Sequence, residues 1–244
     1  MPISDYIFLF ATVFLGGGLA FYLYRRLPAW ALPLVLAFSG AYLLGITAIH
    51  LMPGVFHELG ARAGLWLLAG FFIQLLLEVL SQGVEHGHIH AHQRAGAGFA
   101  LQIMIGLCLH AYLEGAPLGS YDEFYAHHHE SEATVNHLLF GIILHKAPAA
   151  FALVALLLRS GFQYRATAVC LLVFASMSPL GALTGEQFDL SPTMLSSLIA
   201  LVIGSFLHIS TTILFETEDQ RTHRISWWKL LVIAAGIALA LSTL

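Results

Sequence analysis

The chain has 244 residues, 58% hydrophobic and only 10% charged, with a formal net charge of −4 at pH 7. Soluble domains carry about 25% charged residues, so this chain has too little charge to cover a water-facing surface. Its mean hydropathy of +0.80 is that of a polytopic membrane protein, and no nucleic-acid partner is expected.

A bilayer crossing needs about 20 mostly apolar residues. Eight stretches meet that need: 4–24, 32–56, 63–84, 97–119, 134–158, 164–184, 193–215 and 227–243. The first lacks a basic region before it and continues through Tyr24, so it reads as a retained helix and not as a cleaved leader. Arg25-Arg26-Leu27-Pro28 ends it. The second carries His50, with Pro53-Gly54 near its end. The third carries Gln74 and Glu78 in its second half, where they either line an inner exit or snorkel to the interface.

The connection over 85–96 then reads Glu85-His86-Gly87-His88-Ile89-His90-Ala91-His92. Alternating histidines with glycine cannot form a core, but they chelate cations loosely. The fourth stretch holds Cys108, His110, Glu114 and Pro117, and a loop with His127-His128-His129-Glu130 follows it. The fifth holds His145, Lys146 and Pro148 and is followed by Gly161. The sixth contains Cys170, which like Cys108 reads as a small buried hydrophobe. Ser191-Pro192 opens the seventh, which carries His208. The expected fold is all-α: one transmembrane domain over 1–244 with eight helices and the 85–96 loop within it.

Basic residues give the orientation. Of ten Lys and Arg, eight fall in alternate loops: Arg25, Arg26, Arg94, Arg159, Arg165, Arg221, Arg224 and Lys229. Arg62 falls on the other side, and Lys146 lies inside the membrane. The positive-inside rule makes the basic side cytoplasmic and both termini extracytoplasmic. The opposite side collects Asp5, Glu58, Asp122, Glu123, Glu130, Glu132, Glu186 and Asp189, which either raise the local cation concentration or simply solvate the surface.

His110 and Glu114 are four residues apart, so they fall on one helix face, about 40° apart around the axis. Imidazole nitrogen and carboxylate oxygen suit a borderline divalent cation such as zinc. Ionisable groups in hydrocarbon are costly and usually mark an ion or substrate path. His110, Glu114 and His145 therefore form the candidate metal set, with His50 and His208 as further path residues or extra ligands. A lone buried histidine is more often a hydrogen-bonded packing residue, and interhelical hydrogen bonding is the competing reading for those two. His86, His88, His90 and His92 form a weaker set in the loop. Pro117 and Pro148 each free a backbone carbonyl one turn earlier and permit a bend.

At this point the sequence resembles the ZIP (Zrt/Irt-like) family of divalent metal transporters. His110-Ala111-Tyr112-Leu113-Glu114-Gly115 is similar to the family's helix-four metal motif. His145-Lys146-Ala147-Pro148-Ala149-Ala150-Phe151 is similar to its helix-five motif, in the version with His-Lys. His50-Leu51-Met52-Pro53 resembles the motif ending helix two, and Gly204-Ser205-Phe206-Leu207-His208 resembles one in helix seven. Many members have a binuclear centre, with a carboxylate or asparagine after each histidine. Here Ala111 and Lys146 stand there, and Ala149 holds a later position that is commonly Glu or His. The resemblance thus implies a mononuclear site of His110, Glu114 and His145, with Lys146 as a charge substitute for the second metal. It also implies a homodimer and an elevator-like movement of helices one, four, five and six past two, three, seven and eight.

The expected function is transport of a divalent metal, zinc foremost, into the cytosol across the cell (inner) membrane. Cadmium, iron and manganese are further substrates such ligands accept, and no cofactor is required. An intramembrane zinc hydrolase with three protein ligands and an activated water is the alternative, with a metal sensor as a third. Lys146 beside the site weighs against the hydrolase, since its charge competes with a bound cation.

Overall fold

The computed structural model describes residues 1–28, 30–87, 96–121, 136–188, 190–215 and 226–242. His88, His90 and His92 of the first histidine loop, Arg94, the 127–129 histidines, Arg221 and Arg224 lie outside the described residues. So do Asp122, Glu123, Glu130, Glu132 and Asp189.

The described residues form eight successive helical segments and no strand. They are α1 (Ile3–Leu23), α2 (Ala31–Leu59), α3 (Arg62–Ser81), α4 (Ala97–Ser120), α5 (His137–Arg159), α6 (Tyr164–Gln187), α7 (Pro192–Phe215) and α8 (Trp227–Leu241). Seven of them are long and apolar enough to cross a membrane. The last, α8, has 15 residues, about 22 Å of helix, and so falls short of the roughly 30 Å hydrocarbon core. Large apolar side chains stay exposed along the outside, among them Phe8, Leu15, Leu68, Leu76 and Leu101. This is the surface of an integral, multi-pass membrane protein. Trp227 and Trp228, at the start of α8, are exposed where an interfacial aromatic belt would put them.

Local chemistry explains the ends. The Asn136 side chain accepts from the Leu139 amide at 2.9 Å and caps α5. Gln82 and Gly83, both at positive φ, stop α3 and turn the chain into a short turn over Val84–His86. In α2, Pro53 cannot donate to the ladder, and the helix answers with a wider π turn over Thr47–Leu51. In α4 the chain tightens at Gly115 into a 3₁₀ turn, Ala116–Ser120, around Pro117. Helix α5 runs on through Pro148.

The helices sort into two groups. In one, α1 packs on α5 and α6, and α4 packs on α6. In the other, α3 packs on α7, and α2 packs on α7 and α8. The groups meet where α3 touches α4 and α2 touches α5. In α5, 83% of the apolar window is buried, against 22% in α1, so α5 is the inner helix against which the others are arranged. The guanidinium of Arg159 donates to the Tyr24 carbonyl at 3.0 Å, which puts the basic ends of α1 and α5 at one end of the bundle.

Lipid tails are as apolar as leucine, so membrane helices associate through close van der Waals contact, which small residues permit. Between α4 and α6 a Cβ on Gly115 would strike the Ser178 backbone, and one on Gly181 would strike the Tyr112 carbonyl. That approach brings α6 within reach of Glu114. Overpacking usually costs about 1–3 kcal/mol. Gly181→Val should therefore lower the thermal midpoint of the purified protein clearly, while Gly18→Val, with nothing within 4 Å of the added atom, should not. Equal midpoints in a detergent melting assay would contradict this packing.

Candidate metal centre

Helix geometry brings His110, Glu114, His145 and Lys146 together between α4 and α5. All four are nearly inaccessible, with relative exposures of 3%, 1%, 1% and 2%. His110 Nε2 lies 3.2 Å from Glu114 Oε2. Neither atom has an aligned hydrogen-bond partner among the described residues, although the two groups face each other at ion-pair distance. His145 stands edge-on to His110, with ring centroids 6.3 Å apart, and neither of its nitrogens has a hydrogen-bond partner among the described residues. Buried polar atoms are rarely left unpaired. His110 and Glu114 stand at the spacing of neighbouring metal ligands, with the open His145 ring nearby; the three do not bring their ligand atoms within 4.8 Å of one another, as Glu78, His86 and His208 do.

The other side of Glu114 is closed. Its Oε1 is 2.6 Å from Lys146 Nζ. The ammonium also donates to Ser178 Oγ on α6 and lies 5.0 Å from the centroid of the Phe174 ring. Ser178 in turn donates to the Ala111 carbonyl at 2.8 Å and sits 3.4 Å from Glu114 Oε1. Lys146 is thus a buried partner of Glu114 and does not snorkel. Ser178 escaped the sequence reading; its only signal was a serine ahead of Pro179 in an apolar helix.

A second group forms from residues that the sequence left scattered. Glu78 on α3, His86 on the Val84–His86 turn and His208 on α7 offer ligand atoms all within 4.8 Å of one another. Glu78 Oε2 pairs with His208 Nε2, and Glu78 Oε1 lies 3.3 Å from His86 Nε2. Phe71 packs edge-on against His208 at 4.8 Å. The Glu78 carboxylate is held between the two imidazoles, with its side chain 21% exposed. His208 joins this group. His50 instead stacks on His137, centroids 3.9 Å apart, and its Nε2 is 3.4 Å from the Ala240 carbonyl.

Gln74 lies between the two groups, bonded to Glu85 beside His86 and to Ser205, which approaches His110 Nδ1 at 3.3 Å. Its Nε2 donates to Glu85 Oε2 at 2.6 Å, and its Oε1 accepts from Ser205 Oγ at 2.9 Å. A narrow crevice lined by Gly70, Gln74, Leu77, His110, Glu114 and Ser205 runs along this contact.

The family model described as ZIP Zinc transporter matches residues 84–243. Among similar proteins, zinc transporter ZIP9 of Xenopus tropicalis is 30% identical over 163 residues, 63% of this chain and 52% of that protein. Zinc transporter ZIP9 of Micropogonias undulatus is 29% identical over 163 residues, 63% of this chain and 51% of that protein. Zinc transporter ZIP1 of Bos taurus is 27% identical over 177 residues, 67% of this chain and 52% of that protein. The chain spans about half the length of these relatives.

Removing one partner of a buried ion pair typically costs about 3–5 kcal/mol, because the other charge is stranded. Lys146→Met should accordingly reduce the thermal midpoint of the metal-free protein sharply. Adding Glu114→Leu to it should restore much of the loss. Strictly additive losses in this double-mutant cycle would show that the two side chains do not interact.

Proposed function

The chain belongs to the ZIP zinc transporter family, and from that membership we propose that it carries a divalent metal, zinc foremost, across the membrane into the cytosol. The carrying observation is the face that Glu114 turns to His110: Oε2 lies 3.2 Å from His110 Nε2, beside His145, whose ring nitrogens have no hydrogen-bond partner among the described residues. His110, Glu114 and His145 are the ligands of a single transported ion. Lys146 supplies the positive charge that a second ion would bring, and it repels that second ion. The set contains nitrogen and oxygen donors and no thiolate, which suits zinc and leaves cadmium, iron and manganese as competing substrates.

The route continues inward to Glu78, His86 and His208. These are again one carboxylate and two imidazoles, so an ion passes between sites of similar chemistry without a deep trap. Transport needs binding strong enough to admit an ion and weak enough to release it. The direction rests on the excess of Lys and Arg at one end of the span pattern. The division into α1, α4, α5, α6 and α2, α3, α7, α8 supports an elevator-like movement of the first group, which holds His110, Glu114 and His145. The working unit is read as a homodimer, and 1–244 as one transporter domain. The relatives named above are transporters and not enzymes.

Purified protein in sealed liposomes tests this directly. Wild type should show saturable zinc uptake, and Ala in place of His110, Glu114 or His145 should abolish it while the protein still inserts. His208→Ala should slow uptake without abolishing it. The central site should bind one zinc per chain, and Lys146→Glu should admit a second or hold the first more tightly. Wild-type uptake by all three ligand variants, or two tightly held ions at the wild-type central site, would overturn the assignment.

A further inference from the structure

Glu85 is a carboxylate with only 1% exposure, at the start of the histidine loop. Neither the transport site nor the Glu78–His86–His208 group uses it. It begins a chain of hydrogen bonds that ends on His110, and the polarity of that chain follows from donor and acceptor counting. An ionised carboxylate only accepts. Gln74 must therefore turn its NH₂ towards Glu85, which it meets at 2.6 Å. That turns Gln74 Oε1, an acceptor, towards Ser205, 2.9 Å away. Ser205 has a single proton, and it is spent on Gln74. Its oxygen then has only lone pairs to offer to His110 Nδ1 at 3.3 Å, so Nδ1 must carry the ring proton. In the neutral imidazole this leaves Nε2 bare, and Nε2 is the nitrogen that faces Glu114 Oε2.

On the far side of the ring, Nε2 faces Glu114 Oε2 at 3.2 Å, a spacing that suits two neighbouring ligands of one cation. The partner on one ring nitrogen commonly decides which nitrogen binds metal.

We propose that Glu85, acting through Gln74 and Ser205, is a positioning residue that fixes His110 as the Nδ1–H tautomer and so keeps Nε2 free for the transported cation. The tautomer stands on the hydrogen bonds alone; its purpose rests on the reading of His110 as a ligand. The chain also crosses between the helix groups, from the Glu85 turn and α3 through α7 to α4. Displacement of one group against the other parts Ser205 from His110 and releases the lock.

The test is ¹⁵N NMR of histidine-labelled, metal-free protein in lipid, with the His110 signal identified by its loss in His110→Asn. Wild type and Ser205→Thr should show one protonated Nδ1 and one bare Nε2. Ser205→Ala and Glu85→Leu should show mixed tautomers and a zinc affinity lowered about 10–100-fold, the usual effect of losing a partner behind a ligand. A protonated Nε2 in wild type, or an unchanged single tautomer in Ser205→Ala, would overturn the proposal. The Ser205 pair keeps the test decisive if Glu85→Leu does not fold. Mixed tautomers with unchanged zinc affinity would leave the lock standing and overturn His110 as a ligand.

Discussion

The structure depends on how one carboxylate, Glu114, is held in the middle of a membrane domain. An isolated charge in hydrocarbon is untenable, so the fold must bring it a counter-charge. It does so on one side only: Lys146 reaches Oε1 from α5 at 2.6 Å, and Ser178 anchors the ammonium from α6. The close glycine contacts between α4 and α6 follow from the same need, because Ser178 reaches Glu114 only if the two backbones nearly touch. Helix α5 must then lie inside the bundle, and it is the most buried of the long helices.

The other side of Glu114 is left incomplete. Oε2, His110 Nε2 and both nitrogens of His145 lack hydrogen-bond partners among the described residues. In a core built only for stability such groups would be paired or replaced by apolar ones. The proposed transport site, which would have to fill and empty, gives a reason to keep them open. A fixed ammonium beside them lets the protein hold its charge in the empty state, which a permanently bound second ion would otherwise do.

Much of this was legible in the sequence. Eight apolar stretches correspond to eight helical segments, and His110 with Glu114 is a helical i, i+4 pair by arithmetic alone. Lys146 was legible as an anomaly, a permanent charge where hydrocarbon was expected. The less legible part was tertiary. Glu78 is separated from His208 by 130 positions, and nothing in either local sequence announces the other. Glu78 at a helix end looks the same whether it snorkels or meets two imidazoles. Ser178 and Ser205 are small polar residues of a kind common in membrane helices, and only the packing of α6 and α7 gives them partners. His50 lies in the π turn before Pro53 and stacks on His137, a partner its local sequence did not announce.

The two polar groups differ in a way that bears on their proposed roles. In the central one the carboxylate is already neutralised by an ammonium, so an arriving dication adds its charge to a nearly balanced site. In the Glu78 group no lysine or arginine contacts the carboxylate among the described salt bridges, and its partners are imidazoles, whose charge varies with protonation. A dication leaving the central site therefore moves away from a fixed positive charge and towards a carboxylate without one. Because Lys146 offsets the attraction of Glu114, a Glu78 carboxylate without such an ammonium would favour the proposed passage in that direction. Gln74 and Ser205 lie on this line and are neutral, so they add hydrogen-bonding groups without adding a trap. On the proposed reading, charge placement along α3, α5 and α7 would supply a bias for release beside any movement of the helices.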